Sequence, residues 1–150
     1  SIIVVTFLPF AERFLRITPY QYDFANYSHI LFKNSANSFQ HDFWATSFRE
    51  LINKVKMDKK FNNKKFSVSV CGGDIWQIAH EFSKDKNLRK NVTFYHSFAS
   101  HNADYIIMTN RLDIGKFERV KCFDRYLGKN IHSVKRLGVT YSVLRKIKND

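Results

Sequence analysis

The sequence has no uninterrupted apolar run of the roughly 20 residues that a membrane-crossing helix needs. The opening Ser1-Ile2-Ile3-Val4-Val5-Thr6-Phe7-Leu8, nearly pure apolar, is far shorter. No basic stretch precedes that run and no small-residue cleavage site follows it, so it is not expected to be a signal peptide. There is no Cys-x-x-Cys pair and no clustered Cys/His spacing, which leaves no basis for a zinc site. The histidines, His29, His41, His80, His96, His101 and His132, are scattered, with none of the i, i+4 pairing of a zincin helix. A Gly-x-Ser-x-Gly nucleophile turn is missing. Gly72-Gly73 belongs to neither a G-x-G-x-x-G run nor a P-loop. Repeats, low-complexity tracts and internal linkers are absent as well. Acidic residues are scarce, 13 against 25 Lys and Arg, leaving a formal net charge of +12.

At 150 residues the chain makes one domain, long enough to bury a core without staples. Its hydrophobic share of 44%, with 15 Phe and 7 Tyr, belongs to a folded protein and not to a disordered one. The positive charge suits nucleic acid, anionic lipid or phosphorylated substrates. It equally suits a solvated surface, because 16 Lys and 12 Asn against 9 Arg is a compositional bias in itself. Cys71 and Cys122 both sit in apolar, strand-like runs and are expected as buried free thiols. A disulfide requires that the two strands be neighbours. Two cysteines do not settle the redox compartment.

Along the chain, the opening apolar run is either a buried strand or the outer end of a membrane helix. Phe10, Arg13, Phe14, Leu15, Arg16, Tyr20 and Tyr22 mix aromatics with arginine, as a membrane–water interface selects. An amphipathic helix on a soluble core has the same pattern. Residues 1–22 are therefore set apart from a soluble domain over 23–150. Residues 33–41 are a polar loop. Trp44, Phe48, Leu51, Ile52 and Val55 recur at helical spacing, with Asp42 placed to cap the helix and Lys54 and Lys56 near its end. Met57 to Lys65 is a polar connection. Phe66-Ser67-Val68-Ser69-Val70 alternates as a strand. Asp74 and Gln77 form a capping-box pattern ahead of a second helix with Ile75, Ile78, Ala79 and Phe82 on its stripe. Lys84 to Lys90 is a charged loop. Strands are expected at 92–96, at 103–109 (uniformly apolar, hence central) and at 117–123. Leu137-Gly138 turns a final hairpin between 131–136 and 139–146. The predicted fold is α/β, a mixed sheet with two main helices and an antiparallel C-terminal hairpin.

Three stretches carry a family resemblance. Pro19-Tyr20-Gln21-Tyr22 with Phe24-Ala25-Asn26, then Asp42-Phe43-Trp44-Ala45-Thr46-Ser47-Phe48-Arg49-Glu50, resemble the "P-Y-Q-Y…F-N" and "D-Y-W-G-x-S-x-K/R-E" pattern that follows the last membrane span of GT-C type integral-membrane glycosyltransferases. These include the dolichyl-phosphate-mannose protein mannosyltransferases. Phe43 stands for the Tyr and Ala45 for the Gly. Ala103-Asp104-Tyr105-Ile106-Ile107 resembles the family's "A-D-Y-v-v" strand, and residues 133–145 are similar to its closing hairpin. The resemblance implies a non-catalytic C-terminal domain on the non-cytoplasmic side of a polyprenyl-phosphate-sugar-dependent glycosyltransferase. It also implies as partners the transmembrane part of the same polypeptide, the membrane surface and a glycan or protein acceptor. It implies no cofactor, and no catalytic residue is carried over, because the family's catalytic carboxylates lie in external loops of the membrane part.

Asp42, Trp44, Tyr20 and Tyr22 are the candidate substrate-binding residues. A carboxylate and an indole at a helix start can hold a sugar, the ring stacking and the acid accepting hydroxyl protons. The same pair also serves as a cap and a first core contact. The rival class is a free basic nucleic-acid-binding domain or a small nuclease. Seven Lys/Arg in 49–65 and eleven in 111–148 can track phosphates. Asp58-Lys59-Lys60 has the residue types of a metal nuclease, although in a polar connection.

Overall fold

A computed structural model of the chain describes residues 8–9, 11–12, 15–16, 45–96, 102–111, 120–136 and 138–147. Residues 8–9, 11–12 and 15–16 are helical. The ordered elements then run α1 (Ser47–Met57), α2 (Lys59–Asn62), β1 (Phe66–Cys71), α3 (Ile75–Ser83), α4 (Lys86–Asn91), β2 (Val92–Tyr95), β3 (Tyr105–Thr109), α5 (Cys122–Arg125), β4 (Gly128–Arg136) and β5 (Val139–Ile147). The five strands form one sheet in the order β2-β1-β3-β5-β4. β1 is parallel to β2 and β3, and β5 is antiparallel to both β3 and β4. This is the expected α/β arrangement with a mixed sheet and a C-terminal hairpin. β3, uniformly buried, lies in the middle.

One face of the sheet carries the main core. α1 presents Phe48, Leu51, Ile52 and Val55, all buried. α3 presents Ile78 and Phe82. They meet Phe66, Val68 and Val70 of β1, Tyr105 and Ile107 of β3, and Val134, Tyr141 and Leu144 of the hairpin. Burying each such side chain contributes about 1.5–3 kcal/mol. A smaller cluster on the other face joins Ile106, Met108 and Val143 to Cys71 and Cys122. The hairpin register shifts between Asn130 and His132 and between Val134 and Lys135, so Ile131 and Tyr141 are bulged residues that add twist to the sheet.

Four expectations are corrected. The polar connection after α1 contains α2, and the charged stretch 84–90 contains most of α4. Each is a single turn or two, held by one buried apolar residue (Phe61, Leu88) and capped by an aspartate. Asp58 accepts from the Lys60 amide, and Asp85 accepts from those of Asn87 and Leu88. Cys122 begins a helix instead of lying in a strand, while residues 112–119 of that expected strand lie outside the described residues. The cysteines are not free thiols: Cys71 at the end of β1 is bonded to Cys122. The strand-neighbour condition was too narrow, because Cys122 reaches the end of β1 from a helix and not from a strand. α1 starts at Ser47 with Thr46 at the cap position, and Asp42, the expected cap, lies outside the described residues. Ala45 has φ 54°, in the left-handed region, and a right-handed helix cannot run through it.

Candidate functional site

The four residues predicted for substrate binding, Tyr20, Tyr22, Asp42 and Trp44, lie outside the described residues. The described residues offer two places where chemistry-bearing side chains converge, one at each end of the parallel strands.

The first is the exit of β1, the end at which open α/β sheets take ligands. Gly72 has φ +77°, and a Cβ there would lie 2.5 Å from Thr109 Oγ1. A Cβ on Gly73 would lie 2.2 Å from Cε2 of Phe48. Thr109 Oγ1 donates to the Gly72 carbonyl at 3.0 Å, and Arg111 Nη1 donates to it at 3.3 Å. Asp74 Oδ1 accepts from the Trp76 amide at 3.0 Å, as a helix cap does. The carboxylate thus occupies the positive end of α3 where a phosphate would otherwise sit. The disulfide closes the same turn from the other face. The two glycines are required by packing, and the turn is a structural joint. Trp76, on the first turn of α3, is 74% exposed.

The second place is a recess of about 80 Å³ at the opposite end, where β1 and β3 begin and β5 ends. Lys60, Lys64, Lys65 and Lys146 stand around it, with Phe61, Phe66 and Tyr105 beneath and Asp104 at one side. The three rings pack edge to face, with centroids 4.9 Å (Phe61–Phe66), 5.3 Å (Phe61–Tyr105) and 6.1 Å (Phe66–Tyr105) apart. Lys60 Nζ sits 5.9 Å from the Tyr105 ring and 6.0 Å from that of Phe61. Asp104 is committed elsewhere: its Oδ2 accepts from the amide of Ser67 at 2.8 Å and from its hydroxyl at 2.7 Å. Its own amide donates back to Ser67 Oγ at 2.9 Å.

The carboxylate of the Asp58-Lys59-Lys60 triplet is structural. Asp58 Oδ1 caps α2 and Oδ2 lies 3.0 Å from His132 Nε2. The Lys60 amide, and after it His132, hold the Asp58 carboxyl below its ordinary range. Glu81 is likewise lowered, first by its bond with Lys84 and then by the nearby cations including Arg49. Burial pushes the Arg145 guanidinium down, and that group donates to the carbonyls of Phe123 and Tyr126 and to Asn130 Oδ1, tying α5 to β5. Among the described residues no three His, Cys, Asp or Glu side chains gather as a metal site. No helix among them is long and apolar enough to cross a membrane.

The recess escaped sequence reasoning because its lysines come from α2, from the α2–β1 connection and from β5, far apart in the chain. The Lys64-Lys65 doublet just ahead of an alternating strand was the local signal. Comparison with known proteins finds no matching family model, no similar curated protein and no similar solved structure.

Proposed function

We propose that this chain is the non-catalytic extramembrane domain of a GT-C type glycosyltransferase that uses a polyprenyl-phosphate sugar. It packs on the enzyme's external face and assists acceptor binding. The observation that carries this reading is Ala45. It occupies the position where the "D-Y-W-G" pattern has glycine, and it is the one non-glycine residue with positive φ among the described residues. A glycine is what that backbone conformation favours. A left-handed residue where the pattern has glycine supports the reading.

Other features support the same reading. The described parts of the matched stretches fall in α1, β3 and the β4–β5 hairpin, which pack on one another as the frame of the fold. A disulfide persists in oxidising compartments, which favours the non-cytoplasmic side of a membrane. Leu8 and Leu15, seven residues apart on helical backbone, are 62% and 70% exposed, as a segment lying at a membrane surface would be. The test is to read the coding sequence upstream of Ser1. Several apolar stretches of about 20 residues each, with an acidic residue in the first external loop, are expected. A start codon directly before Ser1 would sink the proposal.

A further inference from the structure

The cations of this domain fall into two groups. Lys84 pairs with Glu81 at 2.6 Å, Arg136 with Glu50 at 2.5 Å, Lys54 with Glu50 at 3.6 Å and Arg49 with Glu81 at 3.6 Å. The four lysines of the recess take part in none of the ion pairs among the described residues. Four exposed lysines line one small recess, and the one carboxylate that lines it with them, that of Asp104, already accepts two hydrogen bonds from Ser67. Like charges gathered at one place repel, and Lys60 alone among the four has ring contacts that offset this.

We infer that this recess is a binding site for a phosphate group carried as a monoester. Each ammonium offers three donors, and lysine meets phosphate as a mobile point charge. A cavity needs about 10–15 Å³ to hold one water, so 80 Å³ leaves room for several waters or one tetrahedral oxyanion. The buried rings of Phe61, Phe66 and Tyr105 lower the local dielectric beneath the anion. A recess of this size takes one phosphate, in contrast to the extended track a nucleic acid requires. The site would bind phosphate whether or not a membrane enzyme precedes the chain. The carrier is either a lipid headgroup or a soluble ester.

The test uses the 150-residue chain and amide NMR titrations with inorganic phosphate and glycerol 3-phosphate. Flotation with phosphatidic acid vesicles and with phosphatidylcholine vesicles runs beside it. Shifts confined to residues 60–66, 104–105 and 146 are expected. The variant Lys64→Gln/Lys146→Gln is expected to weaken binding at least tenfold. Lys86→Gln/Lys135→Gln removes the same charge from positions that do not line the recess, and is expected to change binding less than twofold. Capture by phosphatidic acid vesicles that is lost in the first double variant and kept in the second identifies a lipid headgroup. Titration by glycerol 3-phosphate without vesicle capture identifies a soluble ester. Equal losses in the two double variants, shifts spread over the whole chain, or no shifts at all overturn the site. So does tight oligonucleotide binding that the first double variant leaves intact.

Discussion

At the scale of single residues, two positions carry more than their side chains suggest. Ala45 holds a left-handed conformation that costs an L-residue about 1–2 kcal/mol. Glycine avoids that cost but loses about 0.5–1 kcal/mol more in chain entropy on folding. Ala45→Gly is therefore expected to stabilise the domain by about 0.5–1 kcal/mol, read as a raised denaturant midpoint. An unchanged or lowered midpoint would remove the conformational argument for the glycine motif. Asp58 is the second. Its folded carboxyl is held below the unfolded value, so its contribution is present above the unfolded pKa and is lost as pH falls through the folded one. Asp58→Ala is expected to cost about 1 kcal/mol at neutral pH through the lost cap. The gap between wild type and variant should narrow below about pH 4. Denaturation curves at pH 7 and pH 3 decide this, and a gap of full size at pH 3 speaks against it.

At the scale of elements, α1 and the turn after β1 act as one unit. Phe48 fills the space a Gly73 side chain would need. Gly73→Ala should overpack that contact and cost about 1–3 kcal/mol. In a Phe48→Leu background the same change should cost less, since the two positions share one volume. A double-mutant cycle in urea measures the coupling, and additive effects would show that the turn relaxes independently. The elements that were legible in the sequence are those with a repeating apolar face. α1 showed through Phe48, Leu51, Ile52 and Val55, α3 through Ile78 and Phe82, and β1 through its alternation, while the hairpin showed through Leu137-Gly138. α2 and α4 have one buried apolar residue each and so no period to see. Asp58 and Asp85, their caps, were the available clue. Cys122 looked like part of a strand because a four-residue helix leaves no periodic trace. The basic recess was illegible for a different reason: Lys60 and Lys146 meet only because β5 runs antiparallel to β3 and ends where β1 begins.

At the scale of the whole molecule, the sheet is loaded unequally. Four helices and the larger core lie on one face, while α5 and the disulfide serve the described part of the other. The disulfide closes a loop with a sequence separation of 51 residues. Limiting the unfolded chain by such a loop is worth about 4 kcal/mol in the chain-entropy account. Cys71→Ser/Cys122→Ser, or wild type in reductant, is expected to unfold at a correspondingly lower denaturant concentration. A midpoint indifferent to reductant would show that the bond adds nothing to stability. The bond also makes part of the backbone a closed covalent ring that includes α3, α4, β2 and β3. A single peptide cut inside that ring releases no fragment until the sulfurs are reduced. Under mechanical pulling from the two termini the ring does not lengthen, so the fully extended chain falls short by about 170 Å at roughly 3.4 Å per residue. Any machine that threads the oxidised polypeptide end first, whether a translocation pore or an unfoldase, meets at Cys71 and Cys122 a doubled strand where it expects a single one.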